Sequence, residues 1–137
     1  QWHSLGTGLD TYYDDQMGSA VRGISSNNSI LIGGWKLPDG DFYNSHPCYW
    51  ELKDGEYELN LLSMEGLSTS GFAKIVDGSG KIIGGWIQLT SRVPVLWING
   101  EMKQILLNGS SQTGGVNGIS ENGKYAAVNI NSTPYLY

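Results

Sequence analysis

The sequence predicts an all-β protein made of propeller-type blades, each of four antiparallel strands, with about three blades to the chain. Three observations predict it. The segment Ile32-Gly33-Gly34-Trp35 recurs 51 residues later as Ile83-Gly84-Gly85-Trp86. Each copy is followed by a proline and a second tryptophan, Pro47-Cys48-Tyr49-Trp50 and Pro94-Val95-Leu96-Trp97, spaced by 47. A turn dipeptide then follows, Asp54-Gly55 or Asn99-Gly100, spaced by 45. No stretch carries a sustained apolar stripe at i, i+3, i+4, i+7 with caps, which argues against a long helix. A β-sandwich is the alternative; it accommodates the strands but gives no reason for their grouping in fours.

The elements follow in order along each copy. Strand a is expected at Ala20–Ile24, Phe72–Val76 and Val116–Ile119, and strand b at Ile30–Trp35, Lys81–Ile87 and Lys124–Asn129. Strand c is expected at Cys48–Leu52, Val95–Ile98 and Pro134–Tyr137, and strand d at Glu58–Leu62 and Met102–Leu107. The a–b and c–d links are short and carry Asn-Gly, Asp-Gly or Ser-Gly, which suits turns needing φ > 0. The third copy opens with Gly118-Ile119-Ser120-Glu121-Asn122-Gly123-Lys124, echoing Gly23–Ser29, and places Tyr137 where the others have Trp50 and Trp97. The glycine pairs before Trp35 and Trp86 fit strands with little room for side chains. Residues 1–137 thus read as one repeat domain, with blades at 18–66, 67–113 and 114–137, the last completed by 1–5. Gln1–Leu5 is expected to pair antiparallel with Pro134–Tyr137, within the chain or in a neighbouring copy, because an unpaired edge there would be a liability. The start at Gln1 and the stop within a strand read as a pattern cut from a longer one.

Composition narrows the partners. The 137 residues suffice for one domain, and 5 Trp, 8 Tyr and 2 Phe are too many for a disordered tail. Eight basic residues against 13 acidic give a net charge of −5. There is no basic stripe for nucleic acid or an anionic membrane surface. No apolar run reaches the roughly 18 residues of a membrane helix. The single Cys48 excludes an internal disulfide and a multi-cysteine metal site.

Chemistry is sparse. His3 and His46 are the only histidines for base catalysis, and His46 stands at a strand entry where a structural role suffices. Cys48, between Pro47 and Tyr49, has no flanking cation to activate it. Asp10, Asp14, Asp15, Asp39 and Asp41 sit in loops, where a carboxylate pair for glycoside hydrolysis or oxygen ligands for calcium are conceivable. Asp39-Gly40-Asp41 is too short for an EF-hand, and Gly78-Ser79-Gly80-Lys81 lacks the spacing of a phosphate loop. Asp77-Gly78 reads as an a–b turn. Asn27, Asn108 and Asn131 begin glycosylation sequons. No catalytic residue, metal ligand or cofactor is therefore assigned. Trp35, Trp50, Trp86 and Trp97 are read as packing residues at equivalent positions.

Function more often lies in what repeats do not share. The b–c link of the first copy is four residues longer than that of the second, and Leu9–Gln16 leads irregularly into the first strand a. Both belong to the side of a blade opposite the hairpin turns. They supply the expected ligand-binding set: Tyr12, Tyr13, Asp14, Asp15, Asp39, Asp41, Tyr43 and His46.

The copies resemble the HAF-type extracellular repeat, whose pattern is an Ile-Ser-x-x-Gly turn, a glycine-rich strand, then His-Ala-Phe-x-Trp and Asn-Gly. Ser45-His46-Pro47-Cys48-Tyr49-Trp50 matches the His and Trp, with Pro and Cys replacing Ala and Phe; Trp97-Ile98-Asn99-Gly100 matches the end but lacks the His. Ile119-Ser120-Glu121-Asn122-Gly123 matches the opening. The resemblance covers most of residues 18–137. It implies a secreted or bacterial cell-envelope protein of propeller-like build, without catalytic residues to carry over. The expected function is a non-catalytic extracellular or envelope binding module presenting an acidic, aromatic loop face to a glycan or protein. It would act as a homo-oligomer or as part of a longer propeller, without nucleic acid and without membrane insertion. The alternatives are a carboxylate-dependent hydrolase of the glycoside class and a purely structural assembly segment.

Overall fold

The computed structural model describes residues 5, 19–36 and 45–137. These form antiparallel sheets without a helix, and none of the sheets closes on itself. Sheet one has the order β1 (Ala20–Ile24), β2 (Ile30–Lys36), β3 (Ser45–Lys53), β4 (Glu56–Leu61). Sheet two repeats that order with β5 (Gly71–Val76), β6 (Ile82–Gln88), β7 (Arg92–Ile98) and β8 (Glu101–Gln104). A ribbon of β9 (Leu106–Leu107) and β10 (Ser110–Ser111) leads to sheet three, β11 (Gly114–Ile119), β12 (Ala126–Ile130) and β13 (Thr133–Leu136).

Most expected strands stand in place with their ends shifted by up to a few residues, and two differ further. The strand expected at Met102–Leu107 divides. Ile105 N–H still donates to Pro94 O at 3.0 Å, but Leu106-Leu107 leave for their own hairpin, turned by Asn108-Gly109 at φ 52° and 76°. The strand expected from Lys124 starts at Ala126, the first residue that pairs with β11, opposite Ile119.

The turns explain why the strands begin where they do. Asp54-Gly55 and Asn99-Gly100 both carry paired positive φ, 51°/83° and 50°/85°, the type I′ geometry whose twist matches flanking strands. The a–b links are longer and are held by side-chain oxygens. Ser25 Oγ, Asp77 Oδ1 and Ser120 Oγ each accept the N–H five residues on, at 3.1, 3.0 and 3.0 Å. Asn27 Oδ1, Ser79 Oγ and Asn122 Oδ1 each accept the N–H two residues on. The left-handed residue of each link is Asn28, Gly80 or Gly123, so Asp77 caps its turn while Gly80, not Gly78, supplies the unusual φ.

Register corrects the reading of the tryptophans. Each first strand bulges, at Arg22, Lys74 and Asn117. Beside the bulges, Ala20 faces Gly34, Phe72 faces Trp86 and Gly115 faces Asn129. Gly34, Trp86 and Asn129 therefore share one register position, and Trp35 corresponds to Ile87. The Ile-Gly-Gly-Trp match is one residue out of register, and a one-residue shift sends a side chain to the other face. Trp35 lies on the face of Trp50, edge to ring at 6.1 Å, whereas Trp86 lies on the face opposite Trp97. The second tryptophans do correspond: Trp50 faces Leu31, Trp97 faces Ile83, and Tyr137 exchanges both backbone hydrogen bonds with Ala126.

The sheets stack through their first strands. β5 lies across β1, β2 and β3, and β11 lies across β5, β6 and β7. The first junction buries Ile30 and Ile32 with Ala73, Val76, Ile87, Val95 and Trp97. The second buries Leu96 with Val116, Val128 and Ile130, with Ile75 and Ile82 packed against them. Gly84 permits this approach, since a Cβ on it would stand 2.5 Å from Val116. Within the sheets, a Cβ on Gly33 or Gly85 would stand 1.8 or 1.9 Å from the carbonyl oxygen of Ala20 or Phe72 on the neighbouring strand. At the other end of the inner strands the a–b turns touch: Ser26 Oγ donates to Gly78 O, and Gly78 N–H donates to Glu121 O at 2.9 Å.

Candidate functional site

Where sheets two and three meet, at the end away from the a–b turns, an open cleft of about 350 Å³ is lined by Lys74, Trp86, Arg92, Thr113, Asn117, Asn129 and Asn131, with Gly114, Gly115 and Ser132. Its aromatic member is placed by the register described above. Trp86, near the end of β6, stacks on Phe72 with centroids 6.5 Å apart, and the Arg92 guanidinium from the start of β7 lies 4.2 Å from its ring centre. Arginine over an indole face is a favourable cation–π arrangement. Opposite it, β11 opens with two glycines. A Cβ on Gly115 would come within 3.8 Å of the indole, so the missing side chain leaves the cleft open beside the ring.

The polar wall is held by its own hydrogen bonds. Asn131-Ser132 form a left-handed pair at φ 48° and 64°, and Asn131 N–H donates to Thr113 O at 2.8 Å. Asn131 Nδ2 donates to Gln112 Oε1 at 2.9 Å, and Thr113 Oγ1 donates to Ser91 Oγ at 2.9 Å. Lys74 and Asn117, the bulge residues of β5 and β11, are joined by a hydrogen bond from Nζ to Oδ1. The bulges matter here: the extra residue re-aims a side chain away from the ordinary alternation.

The charge of the cleft is opposite to that of the chain. No Asp or Glu is among its described lining residues. The ion pairs among the described residues join Lys53 to Glu51 and Glu58, both at 3.4 Å. Among the described residues, Lys74 and Arg92 thus have no carboxylate partner. The site offers cationic and amide donors, hydroxyls and one aromatic surface. No group of three or more His, Cys, Asp or Glu side chains suited to a metal ion occurs among the described residues.

Of the residues expected from sequence, Tyr12, Tyr13, Asp14, Asp15, Asp39, Asp41 and Tyr43 lie outside the described residues, as does the pairing of Gln1–Leu5 with β13. His46 is described. It faces Trp35 across β2 and β3, and its Nε2 lies 3.0 Å from Leu62 O, so the ring ties β3 to the segment after β4. Cys48 is fully buried, and burial pushes its thiol up to about 12. Lys74, Arg92, Thr113, Asn117, Asn129 and Asn131 were not singled out from sequence. Their only sequence signal is the Gly114-Gly115 pair; the bulges that aim Lys74 and Asn117 leave no local signature.

No protein-family profile, characterised protein or solved structure matches the chain.

Proposed function

We propose that the chain is a non-catalytic binding module of stacked propeller-type blades that holds an acidic glycan in the Trp86 cleft. The observation that carries this reading is the lining itself: an indole, two cations without carboxylate partners among the described residues, and several amides and hydroxyls. A uronate-type carboxylate would pair with the Arg92 guanidinium, whose planar fork suits two parallel hydrogen bonds. Sugar hydroxyls would meet Asn129, Asn131 and Thr113, and an apolar sugar face would rest on the indole as Arg92 turns to the carboxylate. Hydrolysis by a glycosidase mechanism needs two carboxyl groups, roughly 5–10 Å apart, flanking the bond. The described lining offers none, which favours holding over cleaving.

Support for blades comes from the common register of the three sheets, their stacking through the first strand, and the matching hydrogen bonds at Ser25, Asp77 and Ser120. An extracellular or cell-envelope setting rests on the resemblance to the HAF-type repeat. Isothermal titration with oligogalacturonates and with their neutral counterparts tests the ligand class. We expect binding of the acidic series that weakens with salt and falls at least tenfold in Arg92→Gln and in Lys74→Gln. Absence of binding at millimolar ligand, or binding unchanged in both variants, overturns the reading.

A further inference from the structure

We infer that the open face of sheet three, across β11, β12 and β13, seats strand β1 of a second copy of this chain, so that copies join head to tail. The inference rests on the stacked-blade reading and is independent of what the cleft holds. Two junctions already present in the chain define the rule. In each, the first strand of the following sheet lies across the first three strands of the preceding one.

The register shows what each end lacks. In the following strand, Ala73 and Val116 are 0 % exposed because a preceding sheet covers them; the corresponding Val21 of β1 is 44 % exposed. Ile24 is 51 % exposed, where its counterpart Val76 is buried. On the preceding face, Leu96 of sheet two is 4 % exposed and its counterpart Leu136 of sheet three is 74 % exposed. Ala127 is exposed where Ile32 and Gly84 are buried. Among the described residues, one end of the stack therefore presents an exposed apolar strand that crosses no sheet, and the other an apolar sheet face that no strand crosses.

The side-chain sizes also fit. Existing junctions match large with small: the Phe72 ring sits where a Cβ on Gly34 would be, Gly115 lies beside Trp86, and Val116 sits on Gly84. Continuing the same register puts Val21 on Ala127, Ala20 beside Asn129 and Ile24 beside Gly118. Each pairing combines at least one small residue with its partner, as the internal junctions do. Continuity of register with two built junctions is what selects a second copy as occupant.

Sedimentation velocity and native mass spectrometry on the full 137-residue chain test this. We expect concentration-dependent dimers or larger head-to-tail assemblies. Val21→Asp and Leu136→Asp, each checked by circular dichroism for native strand content, should raise the dissociation constant at least tenfold. A head-to-tail contact makes one further demand: mixing the two variants must restore a 1:1 pair, because β1 of the Leu136→Asp chain meets an intact sheet three of the Val21→Asp chain. Should either variant lose its strand content, oxidation of a mixture of Val21→Cys and Ala127→Cys chains supplies the same test, with a disulfide-linked pair expected. A monomer at every concentration, no restoration on mixing, or no cross-link overturns the inference. Neither Ala127 nor Leu136 lines the cleft, so dimers that bind no glycan, or monomers that do, separate the two readings.

Discussion

Replacing Trp97 and Trp50 by Phe should produce unequal losses, although both indoles stand at the same register position and both are almost fully buried. The phenyl ring leaves a similar void at either site, so the packing cost is nearly common to the two. The indole N–H is what differs. Trp97 Nε1 donates to Ser63 O at 2.8 Å, tying sheet two to the segment that follows sheet one. Trp50 Nε1 is buried without a hydrogen-bond partner among the described residues. In Trp97→Phe the net worth of that hydrogen bond, about 0.5–1.5 kcal/mol, is lost, because Ser63 is exposed and its carbonyl can turn to water. In Trp50→Phe the penalty of an unpaired buried N–H, about 1–3 kcal/mol, is removed. The expected difference is therefore about 1.5–4.5 kcal/mol, with Trp97→Phe the less stable. Urea denaturation of both variants, with slopes compared to confirm two-state behaviour, measures it. Equal losses, or a larger loss for Trp50→Phe, would refute the assignment of the Ser63 hydrogen bond as the distinguishing feature.

Three further outcomes follow from single contacts. Gly33→Ala should unfold the chain or lower its stability by more than about 3 kcal/mol, since the Cβ would collide with the Ala20 carbonyl; Gly55→Ala, strained in φ but facing open space, should cost only about 1 kcal/mol, and thermal unfolding of the pair checks the contrast. Burial pushes the Asp77 carboxyl up, but hydrogen bonds from Ser79 Oγ and from the N–H groups of Ile82, Ser79 and Lys81 outweigh it and hold the pKa below the usual value. The folded pKa is thus the lower one, so its stabilisation is complete above the unfolded value of roughly 3.9 and is lost as pH falls through the folded value. Asp77→Asn should be less stable than the parent at pH 6, and the gap should narrow by about pH 3 in urea titrations; a gap that widens on acidification would contradict this. Cys48, its thiol raised to about 12 by burial, should resist Ellman's reagent at pH 8 until denaturant is added, and prompt labelling of the native chain would show the site to be open.

Much of the architecture was legible because turn chemistry is local. Asp54-Gly55 and Asn99-Gly100 announce type I′ hairpins in two residues, and both adopt them. The Ser25 and Ser120 turns were visible as an opening motif and Asp77-Gly78 as a turn, although their side-chain hydrogen bonds needed coordinates to be seen. β1 was placed to the residue, and most other strands to within a few residues, since alternating apolar positions bounded by such turns leave few choices. The break at Ile105 was not legible. Leu106-Leu107 continue the apolar run, and only the Asn108-Gly109 turn, close behind, pulls them into another pairing.

The site was harder for a specific physical reason. A β-bulge adds one residue to one strand, and nothing in composition marks it. The bulges at Arg22 and Lys74 occupy the same position and cancel between the two sheets; pairing sets equivalent residues 52 apart, Ala20 to Phe72 and Gly34 to Trp86, so a four-residue match at 51 is out of register by one. That single residue decides the chemistry. In register with Trp35, Trp86 would have lain on the face of Trp97, in the buried first junction. Out of register with it, Trp86 lies on the other face, beside Arg92, Lys74 and the bare backbone of Gly115. Identical tryptophans therefore hold two different positions in the fold, and the one that sequence similarity grouped with the core is the one that lines the cleft. The bulge in β5 aims Lys74 at Asn117 across the sheets, a contact that regular alternation along the strand would not have supplied.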